Sequence, residues 1–136
     1  MLANFAKVHL GGEKNMYRIA ICDDDLVFGS LLEQYLQNFA KTHRIPIDVL
    51  VFARGEEYLE FLIEEFPVDL IFLDIQFEKG LDGVQIGKEL RADIKNEMTQ
   101  IIYISGIESY AMQLFQNRPM DFLVKPVKQE RGDHIM

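Results

Sequence analysis

The sequence predicts a single α/β domain in which helices cover both faces of a doubly wound, five-stranded parallel sheet. The chain has 136 residues, a length that suits one domain. Apolar residues make up 49% of the chain, which is enough to fill a core. Short apolar runs alternate with amphipathic stretches along the chain. This alternation implies parallel strands joined by right-handed crossover helices.

The first strand, helix and second strand are predicted over residues 17–52. Tyr17–Cys22 and Ile47–Phe52 are apolar runs, and the first of them ends at three aspartates. The stretch between the runs repeats apolar side chains at helical spacing, namely Leu31, Leu32, Tyr35, Leu36 and Phe39. Asp25 is a candidate cap for this helix, and Pro46 marks the turn that follows it.

The next two elements are a second helix and a third strand. The apolar stripe of the helix consists of Leu59, Leu62, Ile63 and Phe66. Pro67 ends this helix because proline has no backbone N–H to continue it. Residues 68–73 then form a strand that is apolar enough to be covered on both faces.

A charged loop at residues 75–83 leads into a third helix at residues 84–94. Gly80 and Gly83 are the turn residues of the loop. The apolar positions of the helix, Ile86, Leu90 and Ile94, recur at intervals of four.

The remaining elements are a fourth strand at 101–104, a short fourth helix at 108–117 and a fifth strand at 122–124. Only ten residues, which are mostly polar, follow Pro126. We therefore expect the last helix of the fold to be short or missing.

Composition narrows the function classes. The formal net charge of −8 argues against binding of a nucleic-acid backbone by this chain alone. The single cysteine, Cys22, allows no internal disulfide, and its apolar surroundings predict a buried, inert thiol. No run approaches the roughly 20 apolar residues of a membrane span, and residues 1–15 lack the apolar run of a signal peptide. We expect a cytoplasmic protein that consists of a leader of unknown role (1–15) and one domain (16–136).

Polar residues end four of the five predicted strands. Asp23 and Asp24 follow the first strand, Asp74 the third, Ser105 the fourth and Lys125 the fifth. In such a sheet, ligands bind outside the carboxyl ends of the strands. Clustered carboxylates repel one another unless a cation lies between them, and Mg²⁺ accepts one or two carboxylates while it keeps waters and a phosphate oxygen.

Asp74 is the candidate nucleophile for a phosphoryl group, because a carboxylate can accept one and Asp74 follows the central apolar run. Lys125 would supply positive charge, and Ser105 a hydrogen bond, to the phosphoryl oxygens. Simpler interpretations stay open for these residues. The aspartates could form a solvated turn and a helix cap, Lys125 could be a surface lysine, and Ser105 could be a turn residue.

Four motifs together resemble the receiver domains of two-component response regulators over residues 16–126. The motifs are ICDDD at 21–25, LIFLDIQ at 70–76, IIYISG at 101–106 and FLVKP at 122–126. The resemblance implies a flavodoxin-like fold and phosphorylation by a sensor histidine kinase. The residues of the first three motifs are most similar to those in the receiver domains of regulators with LytTR-type DNA-binding domains. We expect DNA contact only through such an output domain, which these 136 residues do not include.

The resemblance also implies roles for individual residues. Asp23 and Asp24 would bind Mg²⁺ together with the acceptor Asp74 and the backbone carbonyl of Gln76. Ser105 and Lys125 would bind the phosphoryl group. Phe122, three residues before the lysine, would swing inward when Ser105 moves, although plain core packing also accounts for a phenylalanine there.

Two departures from the family pattern affect these expectations. The stretch between Asp74 and Gly83 is one residue longer than the commonest spacing and lacks the usual Met-Pro. A missing last helix would expose apolar surface and favour a homodimer.

Three other functions are weaker alternatives. A receiver-like interaction module that no longer takes phosphate is one of them. A haloacid dehalogenase-like phosphatase needs a second aspartate at position 76, where this chain has Gln76. A flavodoxin needs a Ser/Thr/Gly-rich phosphate loop after the first strand, where this chain has three aspartates.

Overall fold

The fold is a five-stranded parallel sheet with helices on both faces. The computed structural model describes residues 16–65, 67–75, 82–92, 98–105, 119 and 121–124. The strands are β1 (Tyr17–Cys22), β2 (Ile47–Phe52), β3 (Leu70–Asp74), β4 (Gln100–Ser105) and β5 (Asp121–Val124), and their order in the sheet is β2-β1-β3-β4-β5. The described helices are α1 (Leu26–His43), α2 (Gly55–Glu64) and α3 (Gly83–Ala92). The predicted doubly wound, flavodoxin-like α/β fold is confirmed.

The sheet separates two apolar clusters because successive strand residues point to opposite faces. One face carries Ile19, Ile21, Leu70, Phe72, Ile102 and Ile104, with Leu32 and Leu36 of α1 packed on it. The other face carries Ala20, Cys22, Ile71, Leu73, Ile101 and Tyr103, with Tyr58 and Leu62 of α2 and Ile86 and Leu90 of α3. Strands that are covered on both sides form a rigid base for the residues that follow them.

The third strand begins later than predicted, at Leu70 rather than at Val68. Val68 and Asp69 instead precede β3, at the amino end of the strand. The Val68 carbonyl accepts a hydrogen bond from the Thr99 hydroxyl at 2.8 Å, and the Asp69 carboxylate accepts one from the Arg18 backbone N–H at 2.9 Å. Asp74 closes the strand.

The N-terminal cap of α1 is as predicted, but the predicted apolar stripes of α1 and α2 each need a correction. Asp25 caps α1 as predicted, since its carboxylate accepts a hydrogen bond from the Phe28 N–H at 3.0 Å. The buried face of α2 is set by Tyr58 and Leu62, four residues apart, so Ile63 points to solvent with 79% of its surface exposed. The prediction that Ile63 belongs to the buried stripe was wrong. Leu31 of the α1 stripe is also exposed, at 52%.

Other predictions fall outside the described residues. They concern the leader at 1–15, Phe66, Ile94, the fourth helix at 108–117 and the short or missing last helix. Among the helices that are described, none is both long enough and apolar enough to cross a membrane.

Candidate functional site

Three aspartates meet at the carboxyl edge of the sheet. β1 and β3 are neighbours with Cys22 paired to Leu73, so the next residues along each strand, Asp23 and Asp74, lie side by side. Asp24 follows Asp23 in the turn toward α1. Each of the three aspartates offers a carboxylate oxygen, and these oxygens lie within 4.8 Å of one another. This edge is where the strand order reverses, between β1 and β3, which is the usual ligand position in such sheets.

The three carboxylates differ in burial. Asp23 and Asp74 are 1% and 4% exposed, whereas Asp24 is exposed. One oxygen of Asp23 accepts the Asp25 N–H at 2.8 Å, and the Asp23 N–H donates to the Phe52 carbonyl at 3.0 Å. The cluster is therefore anchored on its buried side and open to solvent at Asp24.

The donor set suits a hard divalent cation. Carboxylate oxygens are the ligands that Mg²⁺ prefers, and Mg²⁺ keeps several waters when only a few protein ligands are offered. Two buried negative charges beside a third are costly without a nearby cation, because Coulomb repulsion grows as the local dielectric falls. The residues present therefore fit Mg²⁺ and leave room for water or a phosphoryl oxygen.

Cys22 directly precedes the cluster and has no exposed surface. Burial raises the pKa of its thiol well above the ordinary value, and the negative charges of Asp23 and Glu57 raise it further. The thiol is thus held in its neutral form, which confirms the predicted buried thiol and makes it a poor nucleophile.

For two other predicted site residues, Ser105 and Phe122, the structure describes the backbone position. Ser105 is the last residue of β4, one position beyond Ile104, which pairs with Asp74. Phe122 lies in β5 opposite Tyr103. The side chains of both residues, and the whole of Gln76 and Lys125, lie outside what the structure describes. Their roles therefore stay predictions.

Gly83, predicted from the sequence only as a turn residue, is the first residue of α3 and packs against the backbone of Asp74 and Ile75. Its N–H donates to the Ile75 carbonyl at 2.7 Å. Asp82 and Gln85 cap the start of α3 reciprocally: the Asp82 N–H donates to the Gln85 side chain at 3.1 Å, and the Gln85 N–H to the Asp82 carboxylate at 2.9 Å. The sequence signal for this helix start was an aspartate followed three residues later by a glutamine, the pattern of a capping box.

Mg²⁺ is expected to stabilise this fold through Asp24. At a concentration 100 times its Kd, a ligand of the native state adds about 2.7 kcal/mol to the free energy of unfolding. An Asp24→Asn variant that binds Mg²⁺ tenfold more weakly would gain only about half of that. Urea unfolding with Mg²⁺ and with EDTA measures both gains.

Asp25→Asn is the matched control for Asp24→Asn, because an asparagine side chain at this position would still cap α1 and Asp25 is not one of the three clustered aspartates. If Mg²⁺ raised the free energy of unfolding equally in the wild type and in Asp24→Asn, Asp24 would not be a Mg²⁺ ligand.

Comparison with known proteins identifies similar chains. The family described as response regulator receiver domain matches residues 19–135. Sensory transduction protein LytT of Oceanobacillus iheyensis is 34% identical over 79 residues, which cover 58% of this chain and 32% of that protein. The chain spans less than half the length of the curated relatives it matches first.

Solved structures share the fold. The chemotaxis response regulator CheY4 of Vibrio cholerae aligns with a TM-score of 0.74 at 20% identity, over 89% of this chain and 96% of that one. The receiver domain of a sensor histidine kinase from Pseudomonas aeruginosa, solved with a magnesium ion in its active site cleft, aligns with a TM-score of 0.69 at 21% identity, over 88% and 93%. At these identities, the likeness establishes the fold alone.

Proposed function

The chain belongs to the response regulator receiver domain family, and on that basis we propose that it accepts a phosphoryl group on Asp74 with Mg²⁺ bound beside it. The observation that carries the proposal is the meeting of the Asp23, Asp24 and Asp74 carboxylates at the switch point of the sheet. The receiver unit would comprise residues 16–136.

The chemistry is a transfer from phosphohistidine to a carboxylate. An Asp74 oxygen attacks phosphorus, the O–P bond forms as the P–N bond breaks, and the imidazole leaves with the electron pair and takes a proton from water. Asp23, Asp24, Asp74 and the Gln76 carbonyl would hold Mg²⁺, which when bound offsets negative charge on the carboxylates and phosphoryl oxygens. Lys125 and Ser105 would bind those oxygens and align the group. Water later hydrolyses the acyl phosphate, so the domain acts as a switch rather than as a metabolic enzyme.

The switch would run from Asp74 to neighbouring strands. Ser105 would move toward the new phosphoryl group, and Phe122 would repack as it does so. Such coupling is typically about 1–3 kcal/mol, enough to shift a pre-existing equilibrium several-fold or more.

We propose a sensor histidine kinase as the phosphodonor. Exposed apolar side chains of α1, namely Leu26, Val27 and Leu31, lie just after the aspartates in the chain and suit a protein partner at this edge. An output domain of the LytTR type, which the family resemblance implies, would make the DNA contact, since the acidic chain is unsuited to it. A homodimer, favoured by the apolar surface that a short or missing last helix would expose, belongs to the same proposal.

Incubation with acetyl phosphate tests the proposal without a partner kinase. We expect hydroxylamine-sensitive phosphate, the mark of an acyl phosphate, to accumulate with Mg²⁺ and to fall to background with EDTA. A protein that binds Mg²⁺ but takes no phosphate would instead be a receiver-like interaction module. Sustained turnover of a generic phosphate ester would point to a phosphatase.

A further inference from the structure

The backbone that carries Asp74 is enclosed between β4 and the first residue of α3. On one side, Asp74 pairs with Ile104, and the Ile75 N–H donates to the Ile104 carbonyl at 2.9 Å. On the other side, the Gly83 N–H donates to the Ile75 carbonyl at 2.7 Å. Ile75 itself is 2% exposed. The peptide that follows the acceptor is therefore held from both sides.

The contact with Gly83 leaves no room for a side chain. A Cβ atom at position 83 would meet the Asp74 carbonyl oxygen, and would lie 2.6 Å from the Ile75 Cα and 2.7 Å from the Asp74 carbonyl carbon. All three of these neighbours are backbone atoms, which cannot turn away as a side chain can. The φ angle of Gly83 is outside the left-handed region, so the constraint is one of space.

α3 is fixed at both ends, so it cannot easily retreat from this contact. The reciprocal Asp82–Gln85 cap defines its start, and Ile86 and Leu90 are fully buried in the core. Near the other end, Arg91 donates to the Thr99 carbonyl at 2.8 Å. Added bulk at position 83 would therefore displace the Asp74–Ile75 backbone.

We propose that Gly83 is a positioning residue. Because it has no side chain, it contacts the Asp74–Ile75 backbone directly, and this contact sets where the Asp74 carboxylate lies relative to Asp23 and Asp24. This inference rests on the proposed function, since it concerns the geometry of the same site. A displacement of about 1 Å at a reacting group can cost about 10²-fold in rate, so a single methyl group at position 83 is enough to affect both metal binding and phosphoryl transfer.

Gly55 provides the matched control. It also opens a helix, α2, and a Cβ atom there would lie 2.5 Å from Cδ1 and Cγ1 of Ile86. That clash is with a side chain in the core, not with the backbone of the site. Gly55→Ala and Gly83→Ala therefore both strain packing around α3, but only Gly83→Ala presses on Asp74.

Three readouts on purified protein test the inference: the free energy of unfolding, the Kd for Mg²⁺, and the rate constant for labelling by acetyl phosphate at saturating Mg²⁺. We expect Gly83→Ala to raise the Kd at least about fivefold and lower the rate constant at least about tenfold. In Gly55→Ala, the Kd for Mg²⁺ and the labelling rate constant should both stay within twofold of wild type, although the free energy of unfolding is lower. A folded Gly83→Ala protein with wild-type Kd and rate constant would overturn the inference.

A wild-type measurement decides the case in which Gly83→Ala does not fold. The amide resonance of Gly83 should shift during a Mg²⁺ titration with the Kd of the site, whereas that of Ile45, at the opposite edge of the sheet, should not. An unmoved Gly83 resonance at saturating Mg²⁺ would also overturn the inference. If wild type binds Mg²⁺ but takes no phosphate, the proposed function fails, while the Kd and resonance arms still decide the role of Gly83.

Discussion

Asp74→Asn is expected to lower phosphate labelling from acetyl phosphate by at least about 10³-fold, because loss of the nucleophile in a covalent mechanism costs several orders of magnitude. The amide is close in shape to the carboxylate but cannot form an acyl phosphate. Asp74 is 4% exposed and lies within 4.8 Å of the Asp23 and Asp24 oxygens. Hydroxylamine-sensitive phosphate in wild type and variant, each with Mg²⁺, is the measurement.

Asp25→Asn is the control for Asp74→Asn, because it makes the same chemical change two residues from Asp23 while leaving the three clustered aspartates intact. Its labelling should match that of wild type. Equal labelling of Asp74→Asn and wild type would place the acceptor elsewhere.

Ile71→Ala is expected to lower the free energy of unfolding by about 2–5 kcal/mol. Ile71 lies in the central strand β3, has no exposed surface and packs in the cluster that includes α2 and α3. The loss combines the transfer free energy of the removed methyl and methylene groups with the cavity they leave. Because domains are typically stable by only about 5–15 kcal/mol, urea denaturation should show a large fall in the midpoint.

Ile63→Ala is the matched control for Ile71→Ala, since the same atoms are removed from a residue that is 79% exposed. Its effect should stay within about 0.5 kcal/mol. A comparable loss in both variants would contradict the assignment of Ile63 to the solvent face of α2.

The limits of β1 and β2 were predictable because a chemical signal bounds each strand, whereas the start of β3 at Leu70 was not. Asp23 directly follows β1 and Pro46 directly precedes β2, and both strands have the predicted limits. The buried face of α2 was not predictable from apolar residues alone. Tyr58 was left out of the stripe and Ile63 was included, because a list of apolar positions does not decide which of two overlapping faces the sheet covers.

The meeting of Asp23, Asp24 and Asp74 followed from strand order, since parallel strands end at one edge. The packing of Gly83 on the Asp74–Ile75 backbone did not, because spacing along the chain gives no distance between backbones across a loop. The assignments of Gln76 and Phe122 rest on family resemblance, and those of Ser105 and Lys125 rest also on the predicted strand ends. All four stay predictions.

Chemical mapping of the phosphorylated residue tests the central claim most directly. Borohydride reduces an aspartyl phosphate to homoserine, which marks its position in the chain for mass spectrometry of a digest. After incubation with acetyl phosphate and Mg²⁺, we predict homoserine at position 74 and at neither 23 nor 24, and none when EDTA replaces Mg²⁺. Homoserine at position 23 or 24, or its equal formation in EDTA, would contradict a Mg²⁺-dependent acceptor at Asp74.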